Sequence, residues 1–99
     1  MINLLPEHLE IVRDILRRHV PGCEVYIFGS RTTNSVKKYS DLDLVIIGKE
    51  KLSGNVMHSL INDFQESDLP FRVDVMDWNT ISKEFQKVIE KNHKILLNF

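Results

Sequence analysis

After Pro6 the apolar residues Leu9, Val12 and Leu16 recur at steps of three and four, with Ile11 and Ile15 widening the stripe, which predicts an amphipathic helix. Pro6 suits its first turn and Pro21-Gly22 ends it. Residues 24–28, with Val25, Tyr26 and Ile27, are β-branched and aromatic and predict a strand, broken by Gly29-Ser30. Residues 30–35 read as a short helix or turn. Residues 41–47 form the clearest strand: Asp41, Asp43, Val45 and Ile47 share one face and Leu42, Leu44 and Ile46 the other. Both faces turn apolar past Asp43, so this strand is expected to be central and buried. Ser53 is an expected N-cap for a helix reaching about residue 66, with Val56, Met57, Leu60, Ile61 and Phe64 as its apolar stripe. Asp68-Leu69-Pro70 is a turn, residues 71–76 a third strand, and Asn79 or Thr80 the expected start of a last helix with Ile81, Phe85, Val88 and Ile89 facing inward. The apolar tail Ile95-Leu96-Leu97 either adds a short strand or packs on the core. The order predicts an α+β fold, a small mixed β-sheet with helices packed against it.

The 99 residues suffice for one domain, expected to span 1–99, and no repeat, low-complexity stretch or flexible linker divides them. A net charge of −1 excludes a strongly basic surface, so direct nucleic-acid binding is not expected. The single cysteine, Cys23, excludes an internal disulfide framework and suits a reducing compartment. The N-terminus meets charge early, at Glu7, Glu10, Arg13 and Asp14, and does not read as a signal peptide; no apolar run approaches membrane-spanning length. A soluble cytoplasmic protein is expected.

Chemistry concentrates in two places. Asp41 and Asp43, two apart at the mouth of a buried strand, repel each other unless a divalent cation neutralises them. Asp74 sits in the middle of a short apolar strand, where an unpartnered acid is unfavourable. If the two strands are neighbours, Asp74 lies about 5 Å from Asp43, the spacing of cross-strand pairs. Three such acids could bind two metal ions, the arrangement suited to in-line displacement at phosphorus. Upstream, Gly29 lets the backbone approach a phosphate, and Ser30 offers a hydroxyl and an N–H at a helix start. Together they suggest a nucleoside triphosphate site. The plainer alternative has Asp41 capping a loop, Asp43 paired with Lys37 or Lys38, Asp74 paired with Arg72, and Gly29-Ser30 as an ordinary turn.

Gly29-Ser30-Arg31, the run Ser40-Asp41-Leu42-Asp43-Leu44 and the later acid Asp74 resemble the DNA-polymerase-β-type nucleotidyltransferase superfamily, and most closely its minimal nucleotidyltransferases. The likeness covers nearly the whole chain. One departure is Asn34, where many relatives carry glycine; asparagine tolerates left-handed backbone better than most residues. The resemblance implies a palm-like fold in which Asp41, Asp43 and Asp74 hold two Mg²⁺ ions, Asp74 helps activate an acceptor hydroxyl, and Gly29 and Ser30 hold the triphosphate of ATP. Arg31 reads either as a phosphate contact or as a solvated charge. The resemblance also implies pairing with a HEPN-domain ribonuclease toxin in a hetero-oligomer, neutralised by transfer of AMP to a tyrosine, so that the chain is its antitoxin.

Larger relatives carry a second domain for base or acceptor, so the missing surface is expected from a partner or from a second copy in a homodimer. Two other functions fit the residues: a non-catalytic module that masks its partner, and nucleotidyl transfer to a small molecule. His8, His19, His58 and His93 lack ligand spacing, Trp78 is expected to pack on the core, and Asp77 falls on the strand face opposite Asp74.

Overall fold

The computed structural model describes residues 4–29 and 41–97. Ser30, Arg31, the expected turn at 30–35, Asn34, and the lysines at 37 and 38 lie outside the described residues. The elements run α1 (Pro6–His19), β1 (Glu24–Phe28), β2 (Leu42–Ile47), α2 (Gly54–Gln65), β3 (Val73–Asp77), a 3-10 turn (Trp78–Thr80), α3 (Lys83–Lys91) and β4 (Lys94–Leu97).

The four strands make one mixed sheet in the order β3-β2-β1-β4. β1 is antiparallel to both β2 and β4, while β2 and β3 are parallel and joined by the α2 crossover. The apolar tail is thus a strand, added to the edge beyond β1. β2 is central, as its two-sided apolar pattern requires. Val25, Ile27, Leu42, Leu44 and Ile46 face α1 and α2, whose Val12, Leu16, Leu60 and Phe64 close that core. Each fully buried aliphatic side chain there contributes roughly 1.5–3 kcal/mol. The other face carries Phe28, Val45 and Met76 against Phe85 and Ile89 of α3, with Trp78 half-buried at its border. Phe28 and Phe85 meet edge to face at 5.7 Å.

Three elements differ in their bounds from the sequence expectation. Asp41 precedes β2 instead of opening it, because the first ladder bond is made by Leu42, whose N–H donates to the Arg72 carbonyl at 2.9 Å. β3 starts at Val73 and ends at Asp77, two residues later and one further than expected. The last helix begins at Lys83. Asp77 Oδ1 accepts from the Asn79 N–H, which diverts residues 78–80 into a 3-10 turn, and Ser82 Oγ then caps α3 by accepting from the Phe85 N–H at 3.1 Å. Ser53 caps α2 as expected, accepting from the Val56 N–H at 3.2 Å.

Candidate active site

The C-terminal end of β1 and the N-terminal ends of β2 and β3 lie together on the face covered by α3. Phe28 pairs with Asp43 across the antiparallel ladder, and Asp43 pairs with Asp74 across the parallel one. Directly paired residues share a face, so Phe28, Asp43 and Asp74 form one cross-strand row. The α2 crossover creates it: only a parallel return of the chain sets the second residue of β3 opposite the second residue of β2.

Asp43 is half-buried beside Phe28. Burial pushes its carboxyl above the ordinary value of 3.8, the negative charges of Asp74 and Asp41 push it further, and Arg72 opposes them. Gly29 leaves β1 directly beside it, with φ +79, a conformation that residues with a side chain rarely adopt. A Cβ at this position would overlap Asp43 Oδ2 and lie 3.3 Å from its Cγ. Glycine is needed twice over, for the backbone turn and for the space the carboxylate occupies.

Asp74 Oδ1 accepts from Arg72 Nε at 2.9 Å, an ion pair whose arginine is largely exposed. Asp41 is exposed just ahead of β2 and acts on Asp43 through its charge. The structure therefore brings Gly29, Asp43 and Asp74 together, with Asp41 one step upstream and Arg72 held on Asp74. The described residues contain no group of three or more His, Cys, Asp or Glu side chains gathered closely enough for one metal ion. The donor chemistry nevertheless suits a hard divalent cation, since the ligands are carboxylate oxygens and Asp43 carries a repulsion that a cation would relieve.

Asp77 has a different task. It is 5% exposed, its Oδ2 accepts from the Leu52 N–H at 2.7 Å, and its Oδ1 accepts from the Asn79 N–H at 2.9 Å. This carboxylate ties the segment before α2 to the end of β3. The signal was present in Asp77-Trp78-Asn79-Thr80, an acid followed by polar turn residues, which favours a side-chain cap.

Residues 10–98 match the family described as polymerase beta, nucleotidyltransferase. The chain is 44% identical over 95 residues to the "Probable protein adenylyltransferase MntA" of Haemophilus influenzae, covering 96% of this chain and 83% of that protein. Among solved structures, it is similar to a chain of a toxin–antitoxin crystal structure with AMP-PNP (TM-score 0.77, 22% identity, 92% of this chain and 73% of that one). It is also similar to a chain of the tri-AMPylated Shewanella oneidensis HEPN toxin in complex with MNT antitoxin (TM-score 0.72, 20% identity, 94% of this chain and 71% of that one). The extent of the family match and the identity to the Haemophilus protein place this chain in the polymerase-β nucleotidyltransferase family.

Proposed function

We propose that this protein is a single-domain adenylyltransferase that moves AMP from ATP to a tyrosine hydroxyl of a HEPN-domain ribonuclease toxin and so acts as its antitoxin in a cytoplasmic hetero-oligomer. The observation that carries the reading is the pairing of Asp43 with Asp74 beside the Gly29 turn. It is supported by the identity to a protein adenylyltransferase and by the fold shared with an antitoxin seen with an AMPylated HEPN toxin.

In this reading the acceptor oxygen bonds to the α-phosphorus of ATP, the bond to the bridging oxygen breaks, and pyrophosphate leaves. Asp41, Asp43 and Asp74 would hold Mg²⁺, which supplies neutralisation of the polyphosphate and acidifies the acceptor hydroxyl. Gly29 and Ser30 would present backbone N–H groups to the triphosphate, with Arg31 beside them. Asp74 takes the acceptor side, where it helps remove the hydroxyl proton; Arg72 holds that carboxylate oriented until the site is loaded. Phe28, paired with Asp43 across the ladder, covers one side of that carboxylate, and its partial burial strengthens the charge interactions there.

The test is to mix the chain with a purified HEPN-domain protein from the same organism, with and without ATP and Mg²⁺, and weigh both proteins. One or more AMP units on the partner, formed only when nucleotide and metal are present, is the expected result. Inhibition of the ribonuclease with no added mass would instead favour a masking module.

A further inference from the structure

β3 is an edge strand: among the described residues no strand pairs on its outer side. The direction of its backbone groups follows from the ladder. The Leu42 N–H donates to the Arg72 carbonyl, so in the parallel register Arg72, Asp74 and Met76 turn their amide groups toward β2. Val73 and Val75 turn theirs the other way. Two N–H groups and two carbonyls thus point outward, the row that an added strand would use.

Two cavities flank this edge. One, of about 470 Å³, is lined by Ile61, Phe71, Arg72, Val73, Asp74 and Val75. The second, of about 500 Å³, is lined by Leu52, Met57, Val75, Met76 and Ile81 among others. Side chains of alternate parity on β3 point to opposite faces of the sheet, so a cavity touching both parities wraps around the edge of the strand. Val75 belongs to both cavities, which therefore run end to end along β3. The walls mix apolar side chains with polar ones, Gln65 and Arg72 among them, and Asp74 lines the first of the two cavities. Natural sheets usually protect such an edge with charge, proline or a covering segment; among the described residues no strand covers it, and the groove along it reaches the candidate acid Asp74.

We infer that this edge docks an extended segment of the protein acceptor, which pairs with Val73 and Val75 as a fifth strand and so carries its hydroxyl past Asp74. The inference rests on the reading that the acceptor is a protein, and the continuity of the groove with Asp74 is what selects the acceptor as the occupant. Main-chain bonds along β3 supply affinity, and the two cavities take alternate apolar side chains of the segment.

Amide hydrogen exchange resolved by residue tests this, using the full chain and a purified HEPN-domain protein from the same organism, without ATP. The Val73 and Val75 amides are expected to slow by about tenfold or more in the complex, on the scale of one net hydrogen bond, while Asp74 and Met76, already bonded to β2, change little. Unchanged exchange at Val73 and Val75 in a complex that forms, or failure of the two proteins to associate, overturns the proposal. So does protection that appears without the partner and grows with the chain's own concentration, which would place a second copy on the edge. Val75→Pro removes an outward donor while leaving the β2 bonds intact, a substitution edge strands accept, and should weaken association by about tenfold. Ile61→Lys alters only the groove wall and should weaken association in the same direction if the proline variant does not fold. AMP transfer is measured separately: transfer without protection removes the docking mode and keeps the activity, and protection without transfer does the reverse.

Discussion

Asp43 and Asp74 face each other across the parallel β2–β3 ladder, and the repulsion between their carboxylates is part of what raises Asp43 above its ordinary range. The folded state therefore holds the Asp43 proton more tightly than the unfolded chain does. Stability from this group is greatest below 3.8 and declines as the pH rises from there through the raised value, so at neutral pH the ionised carboxylate works against the fold. Asp43→Asn should raise the thermal midpoint at pH 7 by a few degrees in the absence of metal, and the gain should shrink toward pH 4. Thermal unfolding at both pH values checks this; a lower midpoint at pH 7 would show that the carboxylate stabilises the fold.

Arg72 is the cation that opposes the rise at Asp43 and the donor that holds Asp74. Arg72→Ala should move the Asp43 titration upward, readable by carboxyl carbon NMR. Its effect on stability should be slight, no more than about 1 kcal/mol, because the pair is largely solvated. Adenylyl transfer should fall more than stability does. An Asp43 titration that stays in place would separate Arg72 from the acids.

Gly29→Ala puts a methyl group on a left-handed backbone and into the space of Asp43 Oδ2. The backbone contribution alone is roughly 1–2 kcal/mol, and the overlap adds to it. In an Asp43→Ala background the overlap disappears and only the backbone part remains, so the two substitutions should be non-additive. Strict additivity in thermal unfolding would mean that the glycine and the carboxylate are independent.

Two aspartates three residues apart on β3 should respond in opposite ways. Asp77→Ala leaves the Leu52 and Asn79 N–H groups without their acceptor and should destabilise by roughly 1–3 kcal/mol. It should leave turnover at permissive temperature close to normal. Asp74→Ala should do the reverse, removing transfer with little loss of stability. Equal loss of transfer in both folded variants would merge the two roles.

Much of this was legible in the sequence because the signals were local. The periodicity of residues 9–16, the continuous apolar run after Asp43, and Ser53 as a cap each fix an element through its own neighbours. An acid inside an apolar strand marked Asp74 as needing a partner or a ligand, but its place opposite Asp43 hung on the two strands being neighbours, which the parallel ladder shows. What stayed hidden depended on register and competition. Asp41 lies outside β2 because the ladder begins with Leu42 and Arg72, a pairing that no single strand reveals. The last helix starts late because Asp77 captures the following turn before Ser82 can cap. The tail was ambiguous between packing and pairing because four apolar-rich residues satisfy either; the open edge of β1 decided for β4.

The central claim is that the carboxylates at 41, 43 and 74 serve nucleotidyl transfer, and the most direct measurement is intact-mass analysis of the HEPN partner after incubation with ATP and Mg²⁺. The wild-type chain should add AMP to it, and Asp43→Asn, folded and at least as stable, should lower the rate by more than ~100-fold, beyond the loss that follows removal of a group outside the ligand set. Equal AMP addition by the wild-type and Asp43→Asn proteins would contradict the account.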